Sequence, residues 1–227
     1  LWAQSAEPDA TTAAYLPFGR DIRGAALTQA MTQAADSLAG PSHTCRTAVR
    51  PGRDTYHRLH SERTFSHGAA VLGHITGRHD AATPAAPLLG VQFPPAVVRD
   101  TSGALLPFFA ICGLLHVMDM TRQLAETLPG IPELPMIVNF SFGVTAGAKD
   151  GTGVFESLLN DLADPRLRFP GLGPLHLVLP MGNGRQSQTH GVLGGTTGRT
   201  DLGFRLLPDD RTASYLEVYG NFDQDLG

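Results

Sequence analysis

Pro135-Met136-Ile137-Val138-Asn139-Phe140-Ser141-Phe142-Gly143 is an apolar run closed by a small-residue turn. A short apolar run bounded by turn signals fits a buried strand. Leu175-His176-Leu177-Val178-Leu179-Pro180-Met181-Gly182-Asn183 repeats the design and ends on an asparagine. Upstream, Ser66-His67-Gly68-Ala69-Ala70-Val71-Leu72-Gly73 sets a histidine at the mouth of an apolar helix, straight after a polar, basic segment. A histidine at a helix start, with polar groups at the ends of two apolar strands, is how open α/β sheets present a site.

The surrounding chain supplies the layers. Ser66 is a suitable N-cap for a core helix over residues 66–76, and Gly77 ends it. Residues 88–93 read as a short buried strand closed by Pro94-Pro95. After the turn Asp100-Thr101-Ser102-Gly103, a helix runs to about residue 128, where Pro129-Gly130 stops it. Its apolar residues cover nearly every face, which predicts burial all round. A further helix over residues 153–163 separates the two quoted strands. Strand and helix alternate, with one continuous apolar run per strand, which predicts a mostly parallel sheet covered on both faces.

The flanks read differently. Residues 1–20 are irregular, with Pro8, Pro17 and Gly19 as punctuation. Ile22, Ala26, Leu27, Ala30, Met31, Ala34 and Leu38 fall at helical spacing, and Gly40-Pro41 ends that pattern. Residues 41–64 form a polar, basic surface loop. Beyond Asn183, residues 189–196, 202–207 and 213–219 read as short strands, predicting an antiparallel extension. The organisation expected is a single domain: residues 1–60 an insertion and surface segment, 61–190 an α/β core, and 191–227 the antiparallel extension.

At 227 residues the chain suits one domain with a full sheet-and-helix core. Its 42% apolar and 17% charged content is that of a globular protein. A net charge of −4, with no block of basic residues, gives no reason to expect nucleic acid. The longest apolar run, residues 103–118, is shorter than the ~20 residues of a membrane span. The chain starts at Leu1-Trp2 rather than at methionine, which suggests a processed or excised piece, so a missing signal peptide says nothing about export. Cys45 and Cys112 have no motif spacing and read as free or buried thiols.

The three quoted stretches, in this order, resemble the subtilases, the subtilisin-like serine peptidases, over residues 60–190. The matching pieces are His67-Gly68, Ser141-Phe142-Gly143 and Gly182-Asn183, with Ala69 and Ala70 where the family has Thr and His, and Pro180-Met181 where it has paired alanines. The resemblance implies part of a three-layer α/β/α domain that hydrolyses polypeptide through a Ser/His/Asp triad. His67 would be its general base and then acid, and Asn183 its oxyanion donor. Ser102, Gly103, Ser141, Phe142, Gly143 and Gly182 would line the peptide cleft, with Phe142 replacing a commonly smaller side chain. No cofactor is implied. Subtilases often bind calcium structurally, but no carboxylate-rich loop here names a site.

Two family motifs do not occur in the 227 residues: the strand ending in Asp-x-Gly and the helix opening with Gly-Thr-Ser-x-Ala. Asp9, Asp21, Asp36 and Asp54 lie in polar or helical surroundings, and Gly195-Thr196-Thr197-Gly198 lacks the serine. The expectation is therefore a stretch that begins after the aspartate and stops before the serine, inactive by itself. The competing reading is a non-catalytic module that keeps the peptide groove and never had the triad. Other chemistries fit less well. His57, His60, His67, His74 and His79 suit no zinc spacing. Gly143 to Lys149 is not a P-loop, since Asp150 stands where Ser or Thr should hold magnesium.

Overall fold

A computed structural model describes residues 1–4, 15–35, 67–77, 86–100, 103–143, 146–164, 166–167, 169–182, 186–187, 189–192, 201–210 and 214–220. They form two compact units. The first comprises Leu1–Asp100, Ala104–Leu134 and Pro170–Leu172; the second comprises Thr101–Gly103, Pro135–Phe169 and Gly173–Gly227.

The first unit is built on β1 (Trp2–Ala3), which pairs antiparallel with β2 (Arg20–Asp21) and parallel with β3 (Val91–Gln92). The sheet order is β2-β1-β3. Two-residue strands hold here because flanking groups extend the ladder. The Trp2 amide donates to Gly90 O at 2.8 Å, the Gln4 amide to Gln92 O at 3.1 Å and the Ile22 amide to Leu1 O at 2.8 Å. The described residues of this unit also form α1 (Gly24–Ala35), α2 (His67–Thr76) and α3 (Pro95–Arg99). The long helix α4 (Leu106–Thr127) has Pro107 in its first turn, where no intrahelical donor is lost.

Helix α4 packs on β1 through aromatic and polar contacts. The Trp2 ring stacks on His116 with centroids 4.5 Å apart, and Phe18 lies on the other rings of the cluster, 5.7 Å from Trp2 and 5.5 Å from Phe109. Gln4 Nε2 donates to Phe109 O at 2.8 Å. Below this layer His116 Nε2 meets Asp21 Oδ1 at 3.0 Å, with both side chains buried. Burial pushes the Asp21 carboxyl up, but the bonds from His116 and Arg23 outweigh it and hold the group below its ordinary value.

Several sequence expectations change here. Residues 1–60, expected as a surface insertion, supply Trp2, Ala3, Leu16 and Ile22 to the core. A two-residue strand has no period to read, so its pairing partners define it. Asp21, expected in polar or helical surroundings, ends a strand and is buried. Helix α4 is not buried all round: Leu106, Ala110, Leu114 and Met118 face the core, whereas Phe108 is 56% exposed. Helix α2 forms where expected, but Leu72 and Ile75 are exposed, so it is not a core helix among the described residues. Cys112 is a free, buried thiol, and Cys45 lies outside the described residues.

The second unit contains β4 (Leu134–Asn139), α5 (Val154–Ala163) and β5 (Leu172–Val178), with β4 and β5 neighbours in a two-stranded sheet. Both strands alternate between more and less buried positions, so the continuous buried run predicted for them becomes a half-covered sheet: Met136 is buried and Ile137 is 75% exposed. Leu159 and Leu162 are the buried residues of α5. Of the expected antiparallel extension, the described residues 189–192, 201–210 and 214–220 contain no strand, and residues 193–200 and 211–213 lie outside the described residues. Leu202, Phe204 and Leu206 alternate as a strand would, but each is more than half exposed. Alternation makes a strand only where a neighbour completes the ladder and covers the apolar face. Among the described residues no helix is long and apolar enough to cross a membrane.

Gly19 tests the Trp2 layer. Its φ is +87°, and a Cβ there would lie 2.3 Å from Trp2 Nε1. Gly24, at φ +41°, has open space around the same position. Gly19→Ala should cost about 3 kcal/mol, backbone strain plus overpacking, and Gly24→Ala only about 1 kcal/mol of strain. Urea denaturation of the two variants measures the difference.

Candidate functional site

The second unit brings two of the predicted stretches together. The Phe140 amide, one residue past β4, donates to the carbonyl of Val178, the last residue of β5, at 2.9 Å. The carboxyl ends of the two strands are therefore side by side, and the strands run in the same direction. Both C-terminal turns then emerge at one edge. A Cβ on Gly143 would stand 3.8 Å from Pro180 Cγ, so Ser141-Phe142-Gly143 lies beside Pro180-Met181-Gly182.

Local chemistry fixes these turns. Asn139 Nδ2 donates to Ser141 Oγ at 2.7 Å, which turns the chain as it leaves β4. Gly182 has φ +87°, a conformation that glycine enters without strain. Phe140 contacts Phe155 of α5 with ring centroids 6.2 Å apart. The helix begins on a carboxylate: Glu156 Oε2 accepts from the amides of Gly151 at 3.2 Å and Gly153 at 3.3 Å, favourable at the positive end of the helix. Met181 is fully exposed beside the paired turns.

The loop after Gly143 is tied from the C-terminal part of the unit. Glu217 Oε2 accepts from the Gly147 amide at 2.9 Å and from the Tyr219 hydroxyl at 2.7 Å. The Tyr219 hydroxyl, then the Gly147 amide, hold the Glu217 carboxyl below its ordinary value. Lys149 continues the loop at φ 59° and donates to Ala146 O at 2.8 Å. Nothing in the sequence marks Glu217 as part of this loop, because the pairing spans 70 residues.

The remaining predicted site residues are divided between the units. Gly103, at φ +75°, belongs to the second unit with Ser141, Phe142, Gly143 and Gly182. His67 is the first residue of α2, as the sequence predicts, in the first unit. Ser102 and Asn183 lie outside the described residues. Sequence reasoning missed the Asp21–His116 pair. A carboxylate bonded to an imidazole is how a triad orients its base, but this ring is sealed under Trp2 with a side chain only 3% exposed and cannot reach a substrate. The sequence signal was a lone histidine inside the apolar stretch 103–118. Among the described residues no three His, Cys, Asp or Glu side chains gather as a metal site.

Compared with known proteins, the chain matches no family model, no curated protein and no solved structure.

The Glu217 tie has a pH signature. A carboxyl held below its ordinary value keeps its bonds above that value and gives them up as acid protonates it. Gly147 amide protection should therefore persist as pH falls to the ordinary glutamate value of 4.5 and disappear only below it. Glu217→Ala should abolish the protection at neutral pH. Amide exchange followed by NMR reads both.

Proposed function

We propose that the chain is part of a subtilisin-like serine endopeptidase, a three-layer α/β/α domain whose peptide cleft lies at the carboxyl ends of β4 and β5. One observation carries the reading. Ser141-Phe142-Gly143 and Gly182, read from sequence as lining the peptide cleft, follow two strands of the same direction that end side by side. Ligands of open α/β sheets bind outside the carboxyl ends of the strands. Glycines at positions 143 and 182 leave room for another backbone, which suits an extended polypeptide laid down as a further strand.

On this reading His67, at the first turn of α2, takes the proton of the nucleophile and returns it to the leaving amine. Asn183 comes after the β5 turn and offers a side-chain amide to the oxyanion. An uncharged donor of this kind is worth on the order of 10²–10³ in rate, a magnitude known for this family's own oxyanion asparagine. Ser102 and Gly103 also line the cleft on this reading. The aspartate and the serine come from sequence outside these 227 residues, and the chain by itself does not turn over peptides.

Fluorophosphonate labelling tests the proposal, because the reagent reacts with a serine only when a neighbouring base activates it. A longer protein containing this chain should be labelled, its His67→Ala variant should not, and the 227-residue chain should stay unlabelled. A folded longer protein that resists the reagent would leave a peptide-binding module without a triad as the better reading.

A further inference from the structure

We propose that the Asp21–His116 pair is an acid-released latch that fastens the β1–β2 hairpin to α4. The latch is independent of any peptidase activity. Asp21 closes β2 and His116 sits midway along α4, 95 residues away, yet Oδ1 and Nε2 meet at 3.0 Å. The two side chains are 5% and 3% exposed. The Trp2 ring of β1 lies flat on the imidazole, so hairpin and helix meet around one buried ion-pairing site.

From the same segment of chain Arg23 Nη2 donates to Asp21 Oδ2 at 2.8 Å, and from α4 comes His116. At the start of β1 the Leu1 nitrogen donates to Ile22 O at 2.9 Å, which holds β1 beside Asp21. Tyr15 acts on Asp21 only through space, its hydroxyl bonding to Asp119 at 3.2 Å. Protonating the carboxylate removes the charge assistance from both bonds at once. His116 Nδ1 has no hydrogen-bond partner among the described residues, so the ring is held there through its bond to Asp21.

The direction of the Asp21 shift sets the sign. A carboxyl held low by its partners contributes its stabilisation in full above the ordinary aspartate value and loses it as pH falls through the lower folded value. The latch is closed at neutral pH and is released as pH falls through the lowered folded value of Asp21.

Trp2 is the one tryptophan in the chain, so the latch has its own reporter. The test is an acid titration of the 227-residue chain, following tryptophan emission and far-UV circular dichroism together. Emission should shift red with a midpoint below about pH 4 while helical signal is retained. Arg23→Ala, at a side chain 59% exposed, should raise that midpoint by about half a pH unit. Asp21→Asn should show the acid-form emission at pH 7 and no transition. Emission that changes only together with the loss of helical signal would overturn the latch, since the whole fold would then be melting. An unmoved midpoint in Arg23→Ala would overturn it equally, and that variant decides the matter if Asp21→Asn does not fold.

Discussion

One backbone hydrogen bond, from the Phe140 amide to the Val178 carbonyl, decides where the turns after β4 and β5 lie. It joins the residue just past β4 to the last residue of β5, so the turns beyond them must leave from the same edge. A register slip of one residue would turn Met136 outward and Ile137 inward, exchanging the faces of the strand. The alternating burial of β4 therefore guards the same register that brings Gly143 against Pro180. Asn139 and the Glu156 carboxylate then shape the turns and the start of α5 without help from distant residues.

The first unit depends on a different kind of contact. Its strands are two residues long, too short for a sheet to stand on backbone bonds alone. The fully buried Trp2 supplies what the ladder lacks. Truncating a buried aromatic of this size typically costs about 3–5 kcal/mol, comparable to much of a domain's net stability. Gly19 leaves space for the indole, Phe18 packs beside it, and His116 lies beneath it bonded to Asp21. The polar pair is thus held in place by an apolar cover.

Long periodic segments were legible in the sequence and short or paired ones were not. Helices α2, α4 and α5 stand within a few residues of their expected bounds, because spacing and stop signals such as Gly77 and Pro129-Gly130 are local. Strand β5 starts at Leu172 rather than at 175, and Pro174 within it is tolerated because each strand of a two-stranded sheet is an edge. Which stripe of α4 is buried could not be read, because apolar residues such as Phe108 and Leu115 occur on its exposed side as well. Strand β1, the Asp21–His116 pair and the Glu217 tie all need partners far away in sequence, and no local pattern announces them. Of the candidate site, the two turns were legible as motifs; their adjacency was not.

The central claim is that the paired turns after β4 and β5 receive an extended peptide. Hydrogen–deuterium exchange of the 227-residue chain, with and without an excess of an unstructured peptide, tests it most directly. The account predicts added protection at the amides of Ser141, Phe142, Gly143, Met181 and Gly182, with the strands β1 to β3 unchanged. Peptide binding that leaves those five amides exchanging at their free rate, or protects only residues elsewhere, would contradict it.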